Sequence, residues 1–366
     1  MIDLHSEMYS FYRAHVLLSA EEKNQLSAYR DRNIQRLKDG LQRLGYKVPV
    51  RTPTQGGYAM HTLTQRPENN SAVDHDIDVA AIFGREDLPE DPLDARKRVL
   101  AGVIEGGGNF KKDPEARTNA VTVWYQEEYH VDLAVHRAYT GNLLEEIIEH
   151  AGVSWSRRDP MDLTNWFNDT VCASSPSKEN GATVASHQMR RIVQLLKYFS
   201  KSRSSWKLPG GLIISALVAE RYNPDHYRDD QALYRTMESI HHRLQYSLEV
   251  YNPVDPSQEL TYKNEYINQV SHFKDKLGDA IRWLSPLFED CPKEDALKAW
   301  GKVFNHSYWA KLAEEIEEAK ALGEQLRAAK AAGSLYSASP SGQLFTSRPQ
   351  GKSVQVPNNR YYGEEK

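Results

Sequence analysis

Between residues 20 and 44 the apolar side chains fall at Leu26, Ile34, Leu37, Leu41 and Leu44, a spacing that lines one face of an α-helix. Ser19 followed three residues later by Glu22 supplies a capping box at the start, and Gly45 supplies a stop. From 46 to 54 the pattern turns extended, a short helical stretch is expected near 59–65, and residues 76–83 read as a strand after the polar 67–71 loop. A helix is expected from 91 to 104, closed by the glycines at 106–108. Residues 121–125 and 129–136 read as two strands whose short 126–128 connection marks a hairpin.

Beyond about residue 150 helical periodicity takes over, at 160–169, 186–201, 212–220, 231–248, 264–284, 294–303 and 308–332. From 333 onward Ser, Pro, Gly and Asn dominate with few apolar residues, the composition of a flexible tail. The expected architecture is therefore α+β: a lobe at 1–150 with a mixed sheet and a long N-terminal helix, a helical lobe at 151–332, and a tail at 333–366. No internal repeat is visible.

Composition narrows the partners. With 366 residues and 40% hydrophobic content the chain can bury the cores of two lobes. Its 46 basic and 50 acidic residues leave a net charge of -4, so no global basic field argues for long nucleic acid, and any phosphate binding must be local. Cys172 and Cys291 are the only cysteines, which supports neither a disulfide framework nor a thiolate zinc site. The first residues lack a signal-peptide pattern, and no uncharged apolar run reaches about 18 residues. A cytoplasmic protein without a membrane span is expected.

The chemistry-bearing residues cluster early. Along an extended 74–79 segment Asp74, Asp76 and Asp78 face one way, and Ile77, Val79 and Ala81 the other. Adjacent same-face carboxylates repel unless a cation or a proton relieves them, which suits a hydrated magnesium pair; an acidic strand end facing solvent carries the same residues. Gly56-Gly57 stands where the chain enters a helix, so its backbone N–H groups can bind an anion, although a Gly-Gly pair also serves an ordinary turn. Asp132 interrupts an apolar strand pattern, sharing a face with His130, Ala134 and His136, and can complete a metal site or accept a proton. On the 186–201 helix Arg190, Gln194, Lys197 and Lys201 form a stripe opposite Met189, Ile192, Val193, Leu196 and Phe199, either a solvated face or a grip for a triphosphate.

Together these residues resemble the polymerase-β-like nucleotidyltransferases: a Gly-[Gly/Ser] turn, an apolar-Asp-apolar-Asp-apolar strand, then one more acid on a later strand. Asp76-Ile77-Asp78-Val79 fits that register better than Asp74-His75-Asp76, which leaves Asp74 outside the innermost set. More narrowly, Gln55-Gly-Gly-Tyr-Ala-Met-His-Thr62, the long helix before it, Asp162-Leu-Thr-Asn-Trp-Phe167, Leu195-Leu-Lys-Tyr-Phe199 and Trp206-Lys-Leu-Pro-Gly-Gly211 resemble the bacterial cGAS/DncV-like nucleotidyltransferases, over roughly residues 10–300.

The resemblance implies an enzyme whose active site lies in the cleft between the lobes and joins ATP, GTP or other nucleoside triphosphates into a cyclic di- or trinucleotide. The product would reach a downstream effector in antiphage (CBASS-type) signalling. It implies two magnesium ions, replaceable by manganese, on Asp76, Asp78 and Asp132, with Asp132 also assisting deprotonation of the attacking ribose hydroxyl. Gln55, Gly56, Gly57, Tyr58, Lys197, Lys201 and Gly211 would contact nucleotide, and Tyr58, Trp124 and Tyr125 are candidates for base stacking. Gly57 replaces the commoner serine of the turn, leaving phosphate recognition there to backbone amides. A ubiquitin-like conjugation enzyme acting near Tyr361-Tyr-Gly363 is a further implied partner. Competing readings are a nucleotidyltransferase acting on RNA, protein or a small molecule, and an inactive nucleotide-binding module.

Overall fold

The computed structural model describes residues 1–70, 75–125, 129–338 and 341–357. Asp74, the 126–128 connection and Tyr361-Tyr-Gly363 lie outside the described residues. The chain opens with helix α1 (His5–Phe11), which runs into a π-helical turn (Tyr12–Val16) that sequence periodicity does not mark. Leu4, Met8, Phe11 and Val16 are fully buried in the core of the helical lobe, so the start of the chain packs there and not against the sheet.

Helix α2 (Ala20–Arg43) starts at the expected capping box: Ser19 Oγ accepts the Glu22 N–H at 3.1 Å, and Glu22 accepts the Ser19 N–H at 2.8 Å. The sheet begins with β1 (Thr54–Gln55) and passes through helix α3 (Gly56–Ala59) to β2 (His75–Gly84). The expected 59–65 helix therefore falls earlier and is shorter. Gly56 starts it at φ +64° straight from the strand, and His61, at φ +54°, ends it.

Helix α4 (Pro92–Glu105), capped by Asp91, carries the chain back across the sheet. It crosses α2 at a glycine contact so close that a Cβ on Gly40 would lie 1.8 Å from the Gly102 carbonyl oxygen. Strand β3 (Lys112–Ala116) is charged and contains Pro114, so it shows no strand pattern in the sequence but suits its edge position. The sheet continues through β4 (Val121–Trp124), β5 (Tyr129–Thr140), β6 (Glu146–Ala151) and β7 (Trp155–Arg157). Strand order is β1-β2-β5-β4-β3, with β6 also on β5 and β7 on β6; β2 and β5 are parallel and the other pairs antiparallel, a mixed sheet.

The helical lobe comprises α5 (Asp162–Ser174), α6 (Gln188–Lys201), α7 (Gly211–Arg221), α8 (Asp229–Leu244), the hairpin β8 (Tyr251–Asn252) and β9 (Asp255–Glu259), α9 (Asn264–Leu284), α10 (Lys293–Phe304) and α11 (Ser307–Ala331). Strands β6 to β9 are too short to impose a readable period, and the sequence pattern passes over them. Residues 333–357 also depart from the expected tail: β10 (Tyr336–Ala338), β11 (Leu344–Phe345) and β12 (Ser353–Gln355) form a small antiparallel sheet. Backbone pairing and the burial of Leu335, 5% exposed, supply the order that side-chain composition does not promise.

Two apolar cores form. One joins α2 and α4 to the sheet through Leu37, Leu41, Val99, Ile77, Val79 and Val131; the other joins α1 and α5–α11 through Phe11, Phe167, Leu196, Phe273 and Trp300. Residues 56–63 form the seam: Met60 belongs to the helical core, while Tyr58 and Leu63 pack against the sheet core. α6 is the central helix of the second core. Its polar stripe is not a solvated face, since Gln194 is 1% and Lys197 6% exposed. The Arg191 guanidinium, buried there, holds α8 through Asp229 at 2.9 and 3.0 Å. Among the described residues no helix is long and apolar enough to cross a membrane.

Candidate active site

Alternation along β2 sends Ile77 and Val79, both fully buried, into the sheet core and leaves Asp76 and Asp78 on the opposite face. The parallel register then does what sequence spacing cannot, setting Asp78 level with Asp132 and Asp76 level with His130. Ligand atoms of Asp76, His130 and Asp132 lie within 4.8 Å of one another, and His130 Nε2 is 3.2 Å from Asp76 Oδ1. Alternation in the sequence makes His130 no more than a same-face neighbour of Asp132; the strand pairing makes it part of the cluster.

The acids are not at ease together. Burial, then the charges of Asp76 and Asp132, push the Asp78 carboxyl well above the usual carboxylate range. Burial and the Asp76 charge raise Asp132 as well, and Asp132 Oδ1 is a buried oxygen without a hydrogen-bond partner among the described residues. An orphaned buried oxygen within a set of oxygen donors fits a hard divalent cation. The residues present thus fit a divalent metal ion.

The glycine turn touches this cluster. Gln55 pairs with Asp78 across β1 and β2, and a Cβ on Gly56 would fall 1.9 Å from Asp78 Oδ2. The next glycine faces Lys197: a Cβ on Gly57 would lie 3.4 Å from Lys197 Nζ and 3.0 Å from Leu63 Cδ2. Gly211 clears the other side, where a Cβ would lie 2.9 Å from Lys197 Cε and 3.0 Å from Nζ. Lys197 Nζ donates to Thr62 Oγ1 at 3.1 Å. Burial first, and Lys201 second, bring Lys197 down to about 7, with Asp76 and Asp78 pulling the other way. Burial also lowers Lys201.

These groups border a cavity of about 730 Å³ between the two cores, within the about 300–1,000 Å³ of small-molecule sites. Gln55, Gly56, Gly57, Asp76, Asp78, Lys197, Lys201 and Gly211 line it, and Asp132 joins the cluster from the neighbouring strand. The stacking candidates are placed elsewhere. The Tyr58 hydroxyl meets Ser27 on α2 and its ring lies under Arg30, because α3 turns that side chain toward the sheet core. Tyr125, 4% exposed, stacks on Tyr129 with its hydroxyl bonded to Asn33. Trp124 lies under Lys112 and Arg117.

Nothing in the sequence pattern foretells the far wall. Arg157, Arg158, Asn252, Asp255 and Gln258 line it, brought there by β7 and the β8–β9 hairpin. A paired arginine and a short turn carry no pattern that distinguishes them from surface loops. Thr62 also lines the cavity; it ends the glycine-turn motif, where its residue type alone assigns it no role.

Residues 50–136, which hold the turn, the strand acids and Asp132, match the family model described as "Cyclic GMP-AMP synthase DncV-like, nucleotidyltransferase domain". Over these residues the chain is similar to a DncV-like nucleotidyltransferase domain. The likeness in fold runs through both lobes. It is similar to CdnC of E. coli MS115-1, solved with ATP, at 16% identity and a TM-score of 0.57 over 84% of this chain and 99% of that one. Vibrio cholerae DncV, solved with the linear intermediate 5′ pppA(3′,5′)pG, matches at 16% identity and a TM-score of 0.60 over 82% of this chain and 94% of that one. CdnC in complex with HORMA-deltaN matches at 16% identity and 0.56, over 82% and 96%. The family match thus falls on the glycine turn and the central strands of the sheet, while the likeness in fold takes in the helical lobe as well.

Proposed function

We propose that this enzyme joins nucleoside triphosphates, ATP, GTP or both, into a cyclic di- or trinucleotide with release of pyrophosphate. The observation that carries the reading is convergence: the Gly56–Gly57 turn, the strand acids and the Lys197 ammonium all meet at one cavity large enough for nucleotides. Asp76, Asp78 and Asp132 would hold magnesium, or manganese in its place, which when bound would neutralise charge developing on the phosphate undergoing transfer.

The chain's own residues do the rest. Backbone N–H groups at residues 56 and 57 and the Lys197 and Lys201 ammonium groups orient the polyphosphate and offset its charge. Asp132, raised above an ordinary carboxylate by burial, would accept the proton of an attacking ribose hydroxyl. The first transfer gives a linear product; its repositioning in the same cavity allows a second, ring-closing attack. Arg157, Arg158 and the β8–β9 hairpin form the wall against which the nucleotides would be held. The product would act on an effector in antiphage signalling, and the residues around Gly363 would be a point of attachment for a conjugating enzyme.

Incubation with all four triphosphates and magnesium should give a product resistant to phosphatase, identified by chromatography with one radiolabelled triphosphate at a time. A long or linear product would point to transfer onto RNA, and no product even with manganese would point to a nucleotide-binding module.

A further inference from the structure

We infer that Thr62 is a positioning residue of the phosphate-binding half of the cavity: its hydroxyl fixes the Lys197 ammonium against the Gly56–Gly57 turn, where that ammonium meets a polyphosphate. The inference rests on the reading of the cavity as a triphosphate site.

Thr62 borders the cavity although it is only 1% exposed. Its backbone N–H donates to the Gly57 carbonyl at 2.8 Å and its hydroxyl to the same carbonyl at 3.4 Å. With the hydroxyl proton committed to Gly57, the oxygen lone pairs are left for Lys197 Nζ, 3.1 Å away. Thr62 therefore ties the turn and the lysine into one unit.

Two further features show that the arrangement is built. Lys197 Nζ fills the space beside Gly57 and Gly211 where side chains would begin, so the long lysine stem has little freedom left. His61, immediately before Thr62, takes φ +54°, a left-handed conformation unfavourable for a residue with a β-carbon, and that reversal swings Thr62 inward. A buried ammonium has three N–H donors, and among the described residues Thr62 Oγ1 is the acceptor that meets it. With one donor held there, the others are left for the cavity that Lys197 lines, where phosphate oxygens would satisfy them. Thr62 also places a hydroxyl 3.7 Å from where a Cβ at position 57 would stand, beside a turn that has no hydroxyl of its own.

The test uses the full-length protein and magnesium tripolyphosphate as a probe that carries no base, with calorimetric binding and steady-state kinetics on nucleoside triphosphates. Thr62→Val should weaken tripolyphosphate binding and raise KM about tenfold, with a much smaller change in kcat, while Thr62→Ser should stay within about twofold of wild type. Thr62→Cys, close to serine in shape but a poor acceptor, carries the same expectation should the valine variant not fold. Equal binding by wild type and by the valine or cysteine variant overturns the role of Thr62 alone, as does a fall in kcat without a change in KM. Failure of the wild type to bind either tripolyphosphate or any nucleoside triphosphate overturns the triphosphate reading and this inference together.

Discussion

Gly56 and Asp78 occupy the same space: a β-carbon at position 56 would begin 1.9 Å from Asp78 Oδ2. Two motifs twenty-two residues apart are therefore one structure, in which the glycine is required by the carboxylate pressed against its backbone.

Gly56→Ala should consequently damage the site more than the fold. The residue also sits at φ +64°, so alanine costs roughly 1–2 kcal/mol from the backbone alone. Displacement of Asp78 should reduce turnover at least about a hundredfold. Urea unfolding and initial rates measure the two effects; near-wild-type turnover would mean that Asp78 tolerates the shift.

Asp78→Asn should abolish turnover yet stabilise the metal-free protein. A carboxyl whose folded pKa is raised binds its proton more tightly in the fold, so its stabilising contribution is present at low pH and lost as pH rises through the folded value. Above the ordinary carboxylate range, where the unfolded chain holds this carboxyl ionised, its burial among other acids is a burden that the amide removes. In a chelator the variant should melt above wild type; added magnesium should raise wild type more than the variant. A variant that melts lower in chelator would contradict the buried-charge account.

His136 and His150 face each other across β5 and β6 with ring centroids 5.0 Å apart, and both are buried. Burial, with His150 adding to it, lowers His136 from 6.5 to about 3, and burial lowers His150. The unfolded chain takes up these protons first, so this contribution is full above pH 6.5 and is lost as pH falls toward 3. A tenfold difference in proton affinity between the folded and unfolded chain corresponds to about 1.4 kcal/mol. His136→Phe should flatten the loss of stability between pH 6.5 and 4 in urea titrations at several pH values; an unchanged slope would assign acid sensitivity elsewhere.

Asp229→Ala leaves the Arg191 guanidinium buried without its carboxylate, 6% exposed at the side chain. The expected loss is about 3–5 kcal/mol, larger than for a surface pair. Pairing it with Arg191→Met should recover much of that loss, which a double-mutant cycle by urea denaturation resolves. Independent, additive losses would show that the two side chains do not act as a pair.

The long helices are legible because each must bury a stripe, and stripes repeat every 3.6 residues; α2 even announces its cap through Ser19 and Glu22. α1 and the π-helical turn escape such a reading because Leu4, Met8 and Phe11 are too few for a period to show. The strands of the β6–β9 region escape it for the same reason of length, and with them goes the cavity's far wall. Tyr58 packs against the sheet core and does not line the cavity, and its sequence position beside the glycines says nothing of which way a four-residue helix turns it.

By itself, then, the sequence determined what is local: alternation on β2 that separates Asp76 and Asp78 from Ile77 and Val79, a glycine turn before it, and a polar stripe on α6. Only the tertiary structure decided their company. A parallel register between β2 and β5, which depends on the α4 crossover and on apolar packing throughout the sheet core, set Asp78 beside Asp132 and drew His130 in. Packing of α6 at the centre of the second core turned a stripe that could have been solvated into a buried ammonium at the Gly57 turn. Contacts between residues distant in sequence are fixed by the packing of whole elements, and no local pattern encodes that.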